Sequence, residues 1–341
     1  MATRSAPRPR AALIYNPIKV DEKALRQRVT AHSTEAGWAR PLFLPTSVTD
    51  AGQGVTRDAL ARGVSAVLVA GGDGTVRAVS EAMAGTGVPL SIVPSGTGNL
   101  LARNLALPLS DQDAMIAAVF HGDTVAVDLG WAALTRVGGE VEEHAFVVLA
   151  GIGLDAHMIA NTRAERKKSV GWVAYVEGAA RALPRAEPFR VVYQVDDGRL
   201  YSAKVHSMLF ANCGELPAGI SLIPDASIHD GLLDLALIQP RGPFGWLAVW
   251  RTVWWQNSVL RRSRTGRRVL RRFSQGSSVQ FLRGVTADAA PPHPCPIELD
   301  GDEFGDAIRI RCRIQAGALT AVIPAGHVLE RAEVTATAAQ R

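Results

Sequence analysis

The stretch VLVAGGDGTVRAVSEAM, residues 67 to 83, constrains this chain more than any other. An apolar run ends in two glycines, an aspartate, a third glycine and a threonine, after which Val76, Val79 and Met83 recur at helical spacing. The pattern predicts a strand, a tight turn and a helix. Consecutive glycines let backbone N–H groups approach an anion without side-chain obstruction, and the helix N-terminus adds partial positive charge at the same point. Gly71, Gly72, Gly74 and Thr75 are therefore candidates for a phosphate cradle. Asp73 makes sense inside an anion site if the ligand brings Mg²⁺, whose waters a carboxylate can hold. The bland alternative is a Gly-Asp-Gly turn that only tightens the connection. The run is neither a Walker A sequence nor a GxGxxG fingerprint.

A second loop of the same construction follows in LSIVPSGTGNLLARNL. Pro94 ends a strand, Gly96 and Gly98 open the backbone, Thr97 and Asn99 offer hydrogen-bonding groups, and Leu100 to Leu105 read as a helix that Asn99 could cap. Two such loops after successive strands imply a site. Upstream, AALIYNP and RPLFLPT read as strands and Glu22 to Gly37 and Gly54 to Gly63 as helices, so the first 110 or so residues alternate strand and helix. That alternation predicts an α/β domain with a mostly parallel sheet and ligands at the carboxyl ends of its strands. Asn16 and Thr46 fall at two of those ends, although an Asx turn and a loop cap would also explain them.

After Pro108 the texture changes to strand-like runs: TVAVDLGW, HAFVVLAG, FRVVYQV, YSAKVHSMLFAN, LLDLALIQ, SVQFLRG, PIELD, AIRIRCRIQ and ALTAVIP. Helical patches around Leu154 to Leu183 and Pro243 to Leu260 interrupt them. This predicts an antiparallel β domain, with the boundary near residues 108 to 125. A length of 341 residues accommodates both cores. Cys213, Cys295 and Cys312 form no CxxC pair and no ligand spacing, so they read as packing residues of a reducing compartment. No apolar run reaches membrane-spanning length and AALIY is too short for a signal peptide, which points to a cytoplasmic location.

A third cluster lies at PIELDGDEFG, residues 296 to 305. Asp300, Asp302 and Glu303 leave a strand through an Asp-Gly turn, which predicts exposed acids on a rigid support. Hairpins also use Asp-Gly for geometry alone. The functional reading is a general base and a metal-organising carboxylate facing the phosphate site across an interdomain cleft.

The ordered set IYNP, GGDGT, PSGTGNLLARNL, VDLG, AGIGLDA, DGLLD and LDGDEFG resembles the diacylglycerol kinase catalytic family, soluble bacterial lipid kinases related to sphingosine and ceramide kinases. The resemblance implies a nucleotide-binding α/β domain (residues 11–122) and a β-sandwich lipid-substrate domain (123–315). It also implies a C-terminal strand (316–330) that returns to the first domain, followed by a tail (331–341). It implies ATP contacts from Asn16, Thr46, Gly71 to Thr75, Gly96, Thr97 and Asn99, and proton removal from a lipid hydroxyl by Asp300 with Asp302 beside it. Asp128 and Asp230 would order Mg²⁺. The chain departs from the family pattern at Ala78 and Leu100, where an acid is usual, at Ser227 before the Asp-Gly turn, and at Asp302, which replaces a glutamate.

A lipid acceptor directs attention to PFGWLAVWRTVWWQNSVLRRSRTGRR. Trp246, Trp250 and Trp254 are spaced by four, and Arg241 to Arg272 holds nine arginines and no acid. This predicts an interfacial element for anionic lipid, making the protein peripheral to a membrane, unless the stripe packs on the β domain. Arg163, Arg166, Lys167 and Lys168 form a second basic run. The net charge of +5 would also suit nucleic acid, but no reader fold is present, so nucleic acid is not an expected partner. A homodimer is compatible with the sequence. The rival readings are a non-catalytic lipid-binding or regulatory protein on a kinase scaffold, and an NAD kinase-like enzyme.

Overall fold

The fold is seen in a computed structural model that describes residues 8–153, 187–216, 220–221, 223, 226–240 and 278–327. The two long helical patches and the Trp/Arg run fall outside these residues.

The first domain is built from β1 (Arg10–Tyr15), α1 (Glu22–Glu35), β2 (Ala39–Pro45), α2 (Gln53–Ala61), β3 (Ala66–Gly71), α3 (Asp73–Met83), β4 (Pro89–Pro94), α4 (Leu100–Asn104) and α5 (Gln112–His121). β1 pairs in parallel with β2 and β3, and β3 in parallel with β4. Strands buried on both faces read as continuous apolar runs, as AVLVAG does. On one face Ala12, Ile14, Val67 and Val69 pack with Val76, Val79 and Met83 of α3. On the other, Leu13, Tyr15, Leu68 and Ala70 meet Leu25 and Val29 of α1 and Ile116 of α5. The sequence reading missed α5, which Asp111 caps by accepting the Ala114 amide at 2.9 Å.

The second domain contains β5 (Asp123–Thr135), β6 (Val141–Phe146), β7 (Leu149–Gly153), β8 (Phe189–Val195), β9 (Tyr201–Val205), β10 (Ser207–Ala211), β11 (Glu215–Leu216), β12 (Ile220–Ser221), β13 (Leu233–Ile238), β14 (Val279–Gly284), β15 (Thr286–Ala290), β16 (Cys295–Leu299), β17 (Asp302–Ala307) and β18 (Arg309–Ile323). One sheet runs β14-β13-β10-β7-β16-β17. Its inner face, with Ile152, Phe210, Leu235 and Leu299, packs on Leu134, Val191, Ala289 and Ile310 of the other sheet. Its opposite face, including Leu149, Leu209 and Ala236, joins the core of the first domain. The chain is thus an α/β domain with a mainly parallel sheet, followed by an antiparallel sheet domain.

Two long strands tie the domains together. β18 lies antiparallel to β5 over nearly its whole length and, at Thr320 and Ala321, parallel to β4. A register shift between Gln315 and Leu319 breaks its pairing where it passes from one core to the other. AIRIRCRIQ and ALTAVIP are therefore one strand. Conversely, HAFVVLAG is two strands, β6 and β7, interrupted at Val147 and Val148. YSAKVHSMLFAN is also two, because β9 and β10 belong to different sheets. Cys213 and Cys312 are buried and Cys295 half-buried, all as free thiols.

Candidate active site

The two glycine loops emerge side by side because Gly71 and Pro94 are register partners at the ends of β3 and β4. A Cβ added at Gly96 would lie 3.1 Å from the Cα of Gly72 and 3.3 Å from the carbonyl oxygen of Gly71. A side chain at Gly96 would require the loops to move apart by a few tenths of an ångström. Asp73 holds them together: its Oδ1 accepts the Leu100 amide at 2.7 Å, so a residue of the first loop serves the helix that follows the second. Asn99 holds the N-cap position of that helix but its side chain makes no capping hydrogen bond, which corrects the expectation from sequence. Its Oδ1 accepts the Gly96 amide at 3.0 Å and its Nδ2 donates to the Gly96 carbonyl at 2.9 Å, so its side chain is used to close the loop. Asn99 sits in the left-handed region at φ 48°, which asparagine tolerates. Thr97 at the tip is exposed and Thr75 is buried.

Asn16 and Thr46 lie at the same edge, where the Asn16 amide donates to Ala70 and the Thr46 amide to Tyr15. The Asn16 side chain forms an Asx turn, accepting the Ile18 amide at 3.0 Å.

The turn between β16 and β17 meets α3. A Cβ at Gly74 would stand 2.7 Å from Oδ2 of Asp302, so that carboxylate lies against the first turn of the GGDGT helix. Asp302 is half exposed and pairs with Arg77 Nη2 at 3.4 Å. Burial pushes the Asp73 carboxyl above the usual range; the Leu100 and Asn99 amides oppose the shift and the nearby Asp302 charge adds to it.

Asp300 is not an exposed acid. It is 4% exposed at φ 52°, which corrects the prediction for this turn, whereas Asp302 and Glu303 do face solvent. Its Oδ2 accepts the Val147 amide at 2.7 Å, and its Oδ1 accepts those of Val148 at 2.8 Å and Leu149 at 3.0 Å. This is why the apolar run breaks there: the amides that a continuous strand would use in its ladder are turned onto a carboxylate. Burial raises the Asp300 pKa to about 6, against the opposing pull of the Val147 amide, the Arg77 charge and the other two amides.

Asp128 and Asp230 form a second group. Asp128 Oδ2 accepts the Gly231 amide and Oδ1 the Gly317 amide, each at 2.7 Å, so it fastens the β18 irregularity to the 228–231 turn. Asp230 accepts the Leu232 amide at 3.0 Å. Burial raises its pKa, opposed by that amide and Arg283, with the Asp128 charge adding to the rise. Buried Asn212 links this group to the first by donating both to the Asp128 carbonyl at 2.9 Å and to that of Val147 at 3.0 Å. Among the described residues no set of three or more His, Cys, Asp or Glu side chains converges as a metal site.

Arg77 and Asn212 are functional candidates that the sequence reading missed. Each is a polar residue inside an apolar run, TVRAV and LFANC, and that contrast was the available signal.

Residues 10–132 match the diacylglycerol kinase catalytic domain, and residues 147–323 match the YegS C-terminal NAD kinase beta sandwich-like domain. A diacylglycerol kinase of Mycobacterium tuberculosis is 33% identical over 183 residues, 53% of this chain and 57% of that protein, so the chain spans little more than half of that relative. A diacylglycerol kinase of Bacillus subtilis is 28% identical over 235 residues, 67% of this chain and 74% of that one. A solved diacylglycerol kinase structure from Bacillus anthracis str. Sterne has a TM-score of 0.60 at 17% identity, covering 94% of this chain and 98% of that one. Yeast NADH kinase has a TM-score of 0.51 at 10% identity, covering 93% and 84%. At these identities the two structures speak to fold alone. The chain carries a diacylglycerol kinase catalytic domain followed by a YegS-type C-terminal domain, and belongs to the YegS-like lipid kinases, one of which, from Pseudomonas fluorescens, is 30% identical over 67% of this chain and 73% of that one.

Proposed function

We propose that the protein is an ATP- and Mg²⁺-dependent lipid kinase that phosphorylates a lipid hydroxyl, with diacylglycerol as the first acceptor to test and phosphatidic acid as its product. The observation that carries this reading is the approach of Asp302, from the second domain, to the N-terminus of the GGDGT helix, with Asp300 two residues away in the same turn. Asp302 of one domain thus meets the phosphate cradle of the other across the domain boundary.

In this reading the amides of Gly71, Gly72 and Gly74 receive the phosphates, while Gly96, its own amide held by Asn99, lets the second loop close in; Thr75 and Thr97 lie beside them and Asn16 and Thr46 flank the nucleotide. Asp73 in the first glycine loop and Asp302 against Gly74 are the carboxylates that would hold the waters of a nucleotide-borne Mg²⁺. Mg²⁺, when bound, neutralises phosphate charge. Asp300 accepts the acceptor hydroxyl's proton as the lipid oxygen bonds to the γ-phosphorus and the bond to the β-phosphate oxygen breaks, releasing ADP. Three amides leave Asp300 acceptor capacity on Oδ2, and a pKa of about 6 keeps it ionised but basic near neutral pH.

The same three amides favour a second reading, in which Asp300 is a structural clamp of a non-catalytic lipid-binding scaffold. Phosphate transfer from radiolabelled ATP to a panel of lipid alcohols in mixed micelles with Mg²⁺ separates the two. A labelled lipid supports the kinase; folded, ATP-binding protein that labels no lipid supports the scaffold, and labelled NAD in a parallel control would support an NAD kinase.

A further inference from the structure

We propose that Arg77 is a positioning residue that fixes Asp302 against the GGDGT helix and so sets the alignment of the two domains for transfer. The inference rests on the kinase reading above and assigns a role to a side chain that this reading does not use.

Helix α3 turns Val76, Val79 and Met83 into the first domain's core, yet Arg77 between them is buried too, with its side chain 7% exposed. It reaches the second domain. Its Nη2 lies 3.4 Å from Oδ2 of Asp302, and its Cζ lies 4.6 Å from the centre of the Phe304 ring. Asp302 and Phe304 are two apart on β17, so they share one face of that strand and present the guanidinium with a carboxylate and a ring together. Phe304 is held from another side by His144 of β6, at 4.8 Å between ring centres. Two contacts on one rigid strand define a position better than a single ion pair between mobile chains.

Stability alone does not account for this arrangement. The buried Nε of Arg77 has no hydrogen-bond partner among the described residues. Burying a guanidinium with an unmatched N–H is a net cost to folding, and an apolar residue at this position of α3 would avoid it. What the arginine supplies is charge placed among acids. Asp302 lies beside it, Asp73 feels the Asp302 charge, and Arg77 itself acts on Asp300. Without a cation there, Asp302 would be repelled from Asp73, and its short side chain would leave the first turn of α3. Arginine also suits the site better than lysine, because a flat guanidinium can stack on Phe304 while donating to Asp302.

The test is a double-mutant cycle in which Arg77→Met, Asp302→Asn and the pair are compared with wild type. Steady-state lipid phosphorylation is measured together with Mg-ATP binding by calorimetry and thermal unfolding. Arg77→Met is expected to lower kcat by about 10²-fold, the scale of a misplaced reacting group, while lipid KM and ATP affinity stay within a few-fold of wild type. The double variant should be no slower than Asp302→Asn alone, and Arg77→Lys should recover part of the loss. If Arg77→Met does not fold, Phe304→Leu, which removes only the ring, should give a smaller fall in kcat that Asp302→Asn again abolishes. Additive losses, or a loss confined to ATP affinity, would overturn the role. Wild type that labels no lipid overturns the kinase reading and this role with it, whereas labelling undiminished by Arg77→Met overturns the role alone.

Discussion

Asp73 accepts the backbone amide of Leu100 at 2.7 Å, so the aspartate of the first glycine loop supports the first residue of the helix behind the second. The two loops are thereby one structure, and a change in either should be felt in both.

Asp73→Ala removes both the carboxylate and the support for Leu100. Losing a cap of this kind costs about 1 kcal/mol, so thermal unfolding should shift down modestly. Asp73→Asn keeps an oxygen for Leu100 and should unfold close to wild type. Both should lose Mg-ATP-dependent transfer, which separates the charge from the cap.

Gly96→Ala places a methyl group 3.1 Å from the Cα of Gly72, backbone against backbone, and must push the loops apart. ATP affinity measured by calorimetry should fall at least about tenfold, the equivalent of ~1.4 kcal/mol. Gly74→Ala meets a movable carboxylate, so it should displace Asp302 and lower kcat more than ATP affinity.

Asp300 has its carboxyl raised to about 6 by burial. In the proposed role of base it must be ionised, so kcat/KM should rise with pH and level off above pH about 6. Its effect on stability has the opposite slope. The folded protein holds this proton more tightly than the unfolded chain does, so its contribution is complete below the ordinary carboxylate pKa and is lost as pH rises through about 6. Thermal unfolding measured across that window should show this slope in wild type and a flatter profile in Asp300→Asn.

Asp128 accepts two amides that fasten the β18 irregularity. Asp128→Ala leaves both without an acceptor and should cost roughly 1–3 kcal/mol per amide. If Asp128 and Asp230 also hold a structural Mg²⁺, adding Mg²⁺ without nucleotide should raise the unfolding temperature of wild type and not of Asp230→Asn. An equal response in the two proteins would remove the metal from this place.

Trp250→Ala with Trp254→Ala, in the segment read from sequence as an interfacial element, should weaken binding to anionic vesicles more than to neutral ones. Added salt should weaken the wild-type interaction as well. Unchanged vesicle binding by a folded variant would count against membrane docking.

The parallel sheet was legible because its strands are covered on both faces and its turns carry glycine. Helix α5 was not, since QDAMIAAVFH follows a proline-bounded loop and is apolar on more than one side. The split of HAFVVLAG was hidden for a different reason: its cause, the Asp300 carboxylate, lies about 150 residues further along the chain. Burial of Asp300 was missed because an Asp-Gly turn is ordinarily exposed. Arg77 escaped attention because its partners come from β17, and a long-range charge pair leaves no periodic trace in the sequence.

In the proposed reaction Asp300 of one domain serves a nucleotide held by the other. The most direct measurement is transfer of label from ATP to diacylglycerol by wild type and Asp300→Asn, with Mg-ATP affinity determined on the same preparations. Wild type should yield labelled phosphatidic acid, the variant should lose about 10²–10⁴-fold of that transfer, and ATP affinity should be nearly unchanged. Lipid labelled equally by both proteins, or ATP binding lost together with transfer, would contradict this role of Asp300.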